Sequence, residues 1–206
     1  MDTSTHKNET HTPQSLVQKH APAFHKVEAL IGEDFKTISL TDYRGKWVCL
    51  FFYPLDFTFV CPTEITAFND AHKTFKEANC EIIGCSVDSK FTHLAWARTP
   101  RKEGGIGKLT IPLIADITKE VGRNYGVLLP DGVTLRGLFL INPEGQVQYQ
   151  LVHDLGIGRN VDEVLRVLHA LQEVAKTGEV CPANWTPGKK TMKPDPVKSK
   201  DYFQSV

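Results

Sequence analysis

The sequence predicts one α/β domain built on a central mixed sheet flanked by helices, and three observations lead to this fold class. The chain has 206 residues, which suits a single domain of generous size. Short apolar runs alternate along it with amphipathic stretches, as expected where helices pack against a sheet. The chain is 41% hydrophobic and 23% charged, which is the range of globular proteins with a buried core.

Composition separates the two ends of the chain from its middle. Residues 1–25 are rich in Thr, His, Asn, Gln and Pro and lack periodicity, so we predict a mobile N-terminal arm. We predict the domain itself over residues 26–178. Residues 179–206 carry prolines and lysines around Cys181 and Trp185 and are predicted to form a C-terminal arm. The histidines of the N-terminal arm match no compact metal-ligand spacing and are expected to be solvated: His6, His11, His20 and His25.

The first half of the predicted domain alternates strands and helices. The continuous apolar run Trp47–Tyr53 is typical of a buried strand, and Cys80–Val87 is interpreted as a second buried strand. Between them we predict a helix over Pro62–Ala78, because proline suits the first turn of a helix. Residues at helical spacing also form one face of it: Ile65, Phe68, His72 and Phe75. A second helix is predicted from the capping residue Ser89 to Trp96.

Three further strands are predicted in the second half. Leu113–Ala115 and Val133–Ile141 are apolar runs, and apolar residues alternate with polar ones over 147–151. The turn at 142–145 contains proline and glycine, so it joins the last two strands as an antiparallel hairpin.

The last predicted helix has the clearest signals in the sequence. Asn160, followed three residues later by Glu163, resembles a capping box at its start. Apolar residues then recur on one face until Gly178, a residue type favoured just beyond helix ends.

Charge and apolar pattern exclude several classes of function. Lys and Arg total 24 and Asp and Glu total 24, so the formal net charge is 0 and a general nucleic-acid binder is disfavoured. No apolar run approaches the roughly 18 residues of a membrane span, so we predict no membrane segment. The first residues resemble neither a secretory signal nor an Arg-rich transit peptide, and five cysteines suit a reducing compartment, so we expect a cytoplasmic protein.

Two glycine-rich stretches resemble nucleotide-binding motifs and are rejected. Gly104–Lys108 lacks the first glycine of a phosphate-binding loop, and Leu109 stands where a magnesium-binding Ser or Thr is required. Gly156–Gly158 lacks the third glycine of a dinucleotide fingerprint, because Val161 stands in its place. No histidine pair or Cys-x-x-Cys has metal-ligand spacing. We therefore predict neither a metal nor a cofactor.

The five cysteines are not equivalent. Cys49, Cys80 and Cys85 lie in or beside apolar strands, where a free cysteine packs as a small hydrophobic residue. Cys61 ends a loop and begins a helix, so unpaired backbone N–H groups and the positive end of the helix dipole can stabilise a thiolate there. A helix terminus supplies at best about 2 kcal/mol, so a fixed cation or further hydrogen-bond donors are also required.

Two residues can supply this additional stabilisation. Thr58 lies three residues before Cys61 and offers a hydroxyl group. Arg136 interrupts the apolar run Val133–Ile141, and an arginine inside such a strand is costly to bury unless it faces a polar site. Glu64 either hydrogen-bonds within the site or complements the helix N-terminus, and we favour a supporting role.

These residues carry a resemblance to a known family. The segment 54–64, Pro-Leu-Asp-Phe-Thr-Phe-Val-Cys-Pro-Thr-Glu, resembles the Pro-x-x-x-Thr-x-x-Cys signature of the peroxiredoxins. With Arg-Gly-Leu-Phe at 136–139 and Val-Cys-Pro at 180–182, the chain is similar to the typical two-cysteine subfamily over residues 35–203. The resemblance implies a thioredoxin-like fold. It also implies the site residues: Cys61 as the peroxidatic cysteine, Cys181 as the resolving cysteine, and Pro54, Thr58 and Arg136.

The resemblance implies a thiol peroxidase that reduces hydrogen peroxide and organic hydroperoxides. Attack by Cys61 forms a sulfenic acid, which condenses with Cys181 to a disulfide that a thioredoxin-like donor reduces. Spacing does not assign Cys181 to the same chain or the partner chain. The family implies the partner, and hence a homodimer that commonly assembles into a decamer of five dimers. For the disulfide to form, the first helical turn at Cys61 must unwind.

Two further motifs bear on the rate of that unwinding. The Gly-Gly-Ile-Gly loop at 104–107 and the pair Tyr202-Phe203 resemble motifs of hyperoxidation-sensitive family members, in which the two pack together and delay unwinding. Ile106 replaces the usual leucine, which conserves volume. We predict the same delay here, against the alternative of a solvated loop and a frayed terminus.

Two other functions are compatible with parts of the sequence. A thioredoxin-type disulfide oxidoreductase shares the fold and the cysteine at a helix start, but Glu64 stands where its second cysteine belongs. A holdase chaperone or redox-relay role, which the family also shows in oligomeric or hyperoxidised states, fits the same residues. The sequence does not determine the electron donor or the preferred peroxide.

Overall fold

The structure, a computed structural model, describes residues 15–205. Within this range the strands are β1 Val27–Ile31, β2 Asp34–Ile38, β3 Trp47–Phe52, β4 Cys80–Ser86, β5 Leu113–Ala115, β6 Arg136–Ile141 and β7 Val147–His153. The helices are α1 Cys61–Asp70, α2 His72–Glu77, α3 Lys90–Arg98, α4 Glu120–Asn124, α5 Val161–Thr177 and α6 Ser199–Phe203.

The strands form one mixed sheet in the order β2-β1-β5-β4-β3-β6-β7. β3 is parallel to β4 and antiparallel to β6, and every residue of β3 and β6 is buried, as their continuous apolar runs predicted. One face packs against apolar residues of α1, α2, α3 and α5. The other face packs against α4 and the N-terminal segment. The predicted α/β class with a central mixed sheet is confirmed.

Three of the predicted helix ends are confirmed by their capping geometry, whereas α3 extends past the predicted end at Trp96 to Arg98. The side chain of Ser89 accepts a hydrogen bond from the backbone N–H of Thr92 and begins α3. Asn160 does the same for α5 with the N–H of Glu163, and Gly178 ends that helix with a φ of 70°. The capping box is only half formed, because the Glu163 carboxylate pairs with Arg166 instead of returning to Asn160.

The structure corrects several predicted elements. The helix predicted over Pro62–Ala78 is divided at Ala71, whose ψ of −4° departs from the helical value, into α1 and α2. The strand predicted from Val133 begins only at Arg136. β1 and β2 were not predicted, because four of the five β2 residues are exposed and give no buried apolar pattern. The short helices α4 and α6 were also missed.

The N-terminal arm predicted over residues 1–25 ends earlier than expected. Gln18 and Lys19 form backbone hydrogen bonds with Val147, and Phe24 is 4% exposed in the core. Residues 18–24 are therefore packed onto the domain, and the boundary predicted at 25 lies too late. Of the histidines expected to be solvated, His20 and His25 are exposed, while His6 and His11 lie outside the described residues.

The C-terminal arm is ordered and lies against α5. Val180 and Met192 exchange two backbone hydrogen bonds of 2.8 and 2.9 Å, and Trp185 is 5% exposed. The arm therefore has a small core of its own, which its irregular composition did not predict. None of the helices within residues 15–205 has the length and apolar character needed to cross a membrane.

Candidate active site

Cys61 is the first residue of α1 and follows the loop 54–60 that leaves β3. Its side chain is 0% exposed and belongs to the hydrophobic cluster that contains Ile65 and Phe68. Pro62 occupies the first turn, where its missing N–H removes no helical hydrogen bond. The sulfur therefore lies at the positive end of α1 and away from bulk water.

Arg136 places a cation against this sulfur. It is the first residue of β6 and 3% exposed, and its Nη1 lies 3.3 Å from the Sγ of Cys61. Its Nε and Nη2 both donate to the carbonyl oxygen of Leu155, at 2.9 and 2.6 Å. These two hydrogen bonds fix the position of the guanidinium group. The Cys61 sulfur therefore faces a fixed guanidinium and lies at a helix N-terminus.

Glu64 links Arg136 to a second buried arginine. Nη1 of Arg136 donates to Oε2 of Glu64 at 2.7 Å. Arg159 donates to the same carboxylate from its backbone N, Nε and Nη2, at 2.8, 2.7 and 3.0 Å. The three side chains are at most 4% exposed. Two buried guanidinium groups thus share one carboxylate beside the Cys61 sulfur.

Arg159 also anchors this ion cluster to the sheet. Its Nη1 donates to the carbonyl oxygens of Phe52 on β3, at 2.9 Å, and Gly137 on β6, at 2.7 Å. The guanidinium lies 5.2 Å from the ring centroid of Phe51, within the range of a cation–π contact. Glu64 is therefore held by an arginine that is itself held by two central strands.

A buried polar group holds the loop that precedes Cys61. The Asp56 carboxylate accepts hydrogen bonds from the Tyr53 hydroxyl, at 2.9 Å, and lies 2.7 Å from Nδ1 of His93. Burial raises the pKa of Asp56, and the His93 hydrogen bond acts in the opposite direction. The backbone N–H of Asp56 donates to Asp88 at 2.9 Å. The loop is thus tied to the turn that follows β4 and to α3.

Thr58 and Pro54 lie in this same loop. The Thr58 hydroxyl donates to the carbonyl oxygen of Leu55 at 2.9 Å rather than to Cys61. Pro54 is half-buried directly after β3. The structure therefore brings Cys61, Arg136 and Glu64 into hydrogen-bond contact and places Pro54 and Thr58 in the preceding loop, without a hydrogen bond to the sulfur.

Cys181 lies on the C-terminal arm rather than beside Cys61 in this single chain. It is half-buried, and its Sγ faces the carbonyl oxygen of Ala170 at 3.7 Å. Burial and the Glu173 carboxylate raise the pKa of its thiol. All five cysteines are free.

The remaining three cysteines are core residues, as predicted. Cys49 and Cys85 are 0% exposed and Cys80 is 1% exposed. Burial raises the pKa of Cys49 to about 12 and the pKa values of Cys80 and Cys85 well above their ordinary value. Burial therefore disfavours the nucleophilic thiolate form of these three cysteines.

The family model described as AhpC/TSA matches residues 17–150, which include Cys61, Glu64 and Arg136. The chain belongs to the AhpC/TSA family. A second model, the C-terminal domain of 1-Cys peroxiredoxin, matches residues 170–205 and so covers the arm that carries Cys181.

Relatives place the chain among the two-cysteine peroxiredoxins of this family. It is 57% identical over 193 residues to the chloroplastic 2-Cys peroxiredoxin BAS1 of Hordeum vulgare, covering 93% of this chain and 91% of that one. It is 55% identical to the mitochondrial thioredoxin-dependent peroxide reductase of Mus musculus, covering 95% and 76%. The structure of reduced Plasmodium vivax 2-Cys peroxiredoxin matches with a TM-score of 0.90 and 50% identity, covering 93% and 100%. The predicted thioredoxin-like peroxiredoxin fold is confirmed.

Arg159 is the site residue of this peroxiredoxin that sequence reasoning missed. Its contact with Glu64 spans 95 residues of chain, so no local pattern indicates it. A signal was present in the rejected glycine motif at 156–158. A Cβ at Gly158 would lie 3.3 Å from Val60 and 3.7 Å from Glu64, so this glycine allows the loop carrying Arg159 to approach α1.

The Gly-Gly-Ile-Gly loop is packed rather than solvated. Ile106 is 0% exposed, and the Trp96 indole donates to the carbonyl oxygen of Gly104 at 2.9 Å. A Cβ at Gly105 would lie 1.9 Å from the Thr99 carbonyl oxygen, so only glycine fits there. Phe203 of α6 is 60% exposed in the single chain. A delay of unwinding by the two motifs together stays a prediction.

Proposed function

We propose that this peroxiredoxin is a thiol peroxidase that reduces hydrogen peroxide and organic hydroperoxides. One observation carries the proposal: Nη1 of Arg136 lies 3.3 Å from the Cys61 sulfur at the start of α1. A buried sulfur beside a fixed cation and a helix N-terminus supports a thiolate, which is the nucleophilic form. The name of the mouse relative, a thioredoxin-dependent peroxide reductase, supports the same activity.

The first step is attack of the Cys61 thiolate on one peroxide oxygen. The S–O bond forms as the O–O bond breaks, and the second oxygen leaves as hydroxide or alkoxide. Arg136 is positioned to stabilise charge on the reacting oxygens, because it is already fixed by Leu155 and Glu64 and needs no reorganisation. Thr58 completes the site if its hydroxyl turns from Leu55 toward the peroxide, and Pro54 shelters the sulfur from water. The product is a Cys61 sulfenic acid.

The second step forms a disulfide between Cys61 and Cys181 of a partner subunit. Cys61 is fully buried within α1, so its first turn must unwind before the two sulfurs meet. A thioredoxin-like protein then reduces the disulfide. The position of Cys181 on an arm beyond α5, outside hydrogen-bond contact with Cys61 of the same chain, supports pairing between subunits.

Assembly into homodimers, and into a decamer of five dimers, is part of the proposal. Three large apolar side chains of the loop before Cys61 are strongly exposed in the single chain: Leu55 at 37%, Phe57 at 53% and Phe59 at 90%. Exposed apolar clusters of this kind favour burial against another subunit. The free state of all five cysteines suits a reducing compartment, so we propose a cytoplasmic location, which cell fractionation checks.

Two serine variants test the activity. We expect Cys61→Ser to abolish peroxide reduction coupled to thioredoxin. We expect Cys181→Ser to lose turnover but still consume one equivalent of peroxide, leaving a Cys61 sulfenic acid that mass spectrometry detects after dimedone trapping. On non-reducing gels after one equivalent of peroxide, only the wild type forms a disulfide-linked dimer. Turnover by Cys61→Ser would overturn the proposal.

A further inference from the structure

The C-terminal arm runs antiparallel along one face of α5. Sγ of Cys181 faces the carbonyl oxygen of Ala170 at 3.7 Å. Four residues later, the carbonyl oxygen of Trp185 accepts a hydrogen bond from Nη1 of Arg166 at 2.8 Å. Arg166 and Ala170 are four residues apart in α5 and lie on the same face. The Arg166 guanidinium is therefore held one helical turn from the point that the Cys181 thiol contacts.

Arg166 is fixed on both of its edges. Nε and Nη2 form a two-pronged ion pair with Glu163, at 2.6 and 2.8 Å. The third donor, Nη1, reaches Trp185, which is 5% exposed and donates its own indole N–H to Lys189 at 3.0 Å. The Arg166 side chain is only 29% exposed. A guanidinium held in this way keeps one position relative to the arm.

The charges around Cys181 oppose one another. Burial and the Glu173 carboxylate raise the pKa of the Cys181 thiol, and the Arg166 guanidinium acts in the opposite direction. A resolving cysteine reacts as its thiolate. The arginine is therefore the group near Cys181 that favours the reactive form.

We infer that Arg166 is a positioning residue for the disulfide-forming step: it holds the arm on α5 through Trp185 and keeps its guanidinium one helical turn from the point that the Cys181 thiol contacts. The inference rests on the proposed function. In this step the Cys181 thiolate attacks the sulfur of the Cys61 sulfenic acid. The S–S bond forms, the S–O bond breaks, and hydroxide leaves and takes up a proton to become water.

The expected size of the effect follows from thiol chemistry. Each unit by which the thiol pKa rises lowers the thiolate fraction about tenfold at neutral pH. The remaining thiolate is about threefold more nucleophilic per unit, because reactivity follows basicity with a coefficient of about 0.4–0.5. Loss of the charge alone therefore slows the step about threefold per unit, and a loosened arm slows it further. We expect Arg166→Gln to slow disulfide formation about three- to tenfold.

The experiment separates the two steps in the full chain. Reduced protein is mixed with one equivalent of hydrogen peroxide and quenched at intervals, and the sulfenic acid and the disulfide are quantified by mass spectrometry from pH 5.5 to 9. We expect Arg166→Gln to form the sulfenic acid at the wild-type rate, to form the disulfide more slowly, and to shift the pH midpoint of the second step upward. Arg166→Lys keeps the charge and should restore the midpoint. Arg98→Gln, which breaks an exposed ion pair with Glu33, is the matched control and should behave as wild type.

The outcomes distinguish this inference from the proposed function. If the wild type forms no sulfenic acid, the proposed function fails. If the wild type forms the disulfide and Arg166→Gln matches it in rate and pH midpoint, the inference alone is overturned. A slower step without a shift in midpoint also overturns it, because the arginine would then act on the fold of the arm only.

Discussion

Nη1 of Arg136 lies 3.3 Å from Sγ of Cys61, although 75 residues separate them in the chain. The same nitrogen donates to Glu64 at 2.7 Å, so one atom serves both the sulfur and the ion cluster behind it. The cation that faces the sulfur is therefore fixed before any substrate arrives.

Replacing this cation should slow the peroxide step. We expect Arg136→Gln to lower the rate of sulfenic acid formation by about 10²- to 10³-fold, the usual effect of removing one preorganised donor from a developing oxyanion. Stopped-flow measurement under single-turnover conditions gives this rate. Arg123→Gln, at an exposed position of α4, serves as the control. A rate within twofold of wild type for Arg136→Gln would show that the guanidinium does not act on the reacting oxygens.

Neutralising Glu64 should destabilise the fold. In Glu64→Gln two buried arginines lose their shared carboxylate, and breaking a buried pair of this kind costs about 3–5 kcal/mol. Urea unfolding measures the free energy of unfolding. Glu163→Gln breaks an exposed ion pair with Arg166 and should cost at most about 1 kcal/mol. If the two variants lose the same free energy of unfolding, burial of the Glu64 ion cluster does not add to its contribution to stability.

His72 should make stability depend on pH. Its Nδ1 lies 2.7 Å from the Thr110 hydroxyl, whose proton is directed at Asn69, so Nδ1 carries the hydrogen and the buried Nε2 has no hydrogen-bond partner. Burial, followed by the nearby Lys76, lowers the pKa of His72, and Glu81 opposes them. Below about pH 6.5 the unfolded chain binds a proton that the folded chain resists, so stability falls as the pH falls.

Thermal unfolding at pH 7.5 and 5.5 checks this dependence. We expect the wild type to lose more stability between the two pH values than His72→Gln does. The exposed His25 provides the control, because His25→Gln should keep the wild-type dependence. If His72→Gln keeps it as well, another group is responsible.

Removing the end of the C-terminal arm should change the response to excess peroxide. We expect deletion of residues 202–206 to lower sulfinic acid formation at Cys61, because without Tyr202 and Phe203 the first turn of α1 unwinds sooner and the sulfenic acid is consumed by Cys181. Mass spectrometry of Cys61 after excess peroxide measures this. Lys200→Ala, an exposed change in α6, should leave the yield unaltered. An unchanged sulfinic acid yield in the deletion variant would refute the role of the arm.

Elements marked by short-range sequence signals, such as capping residues and apolar runs, were predicted correctly. Ser89, Asn160 and Gly178 mark helix ends because capping is a short-range interaction. The buried strand β3 was visible as a continuous apolar run, and β4 and β6 were visible as largely apolar segments. β2 gave no such pattern, because its side chains face water. The division at Ala71 was not predicted, because apolar residues keep helical spacing from α1 into α2.

The site was predicted only in part, for a similar reason. Cys61 was indicated by its position at the start of a helix. Arg136 was indicated by the free-energy cost of burying its charged side chain in an apolar strand. The partnership of Arg159 with Glu64 depends on the packing of a distant loop against α1, and nothing near either residue in the chain encodes it. Thr58 lies in the loop before Cys61, but its hydroxyl donates to Leu55, a direction that depends on the conformation of the loop.

Glu64 lies on the same turn of α1 as Cys61, and its carboxylate is tied to the sheet through Arg159. We expect the unwinding of α1 in each catalytic cycle to end at Glu64, because its carboxylate is held by Arg159. The rest of α1 then stays helical. When the reduced site re-forms, residues then add to the end of an existing helix. Helix nucleation, which is the unfavourable step, is not needed, and elongation takes about nanoseconds per residue. Recovery of the peroxide-sensitive state is therefore intrinsic to the chain and waits only for the arrival of a reductant.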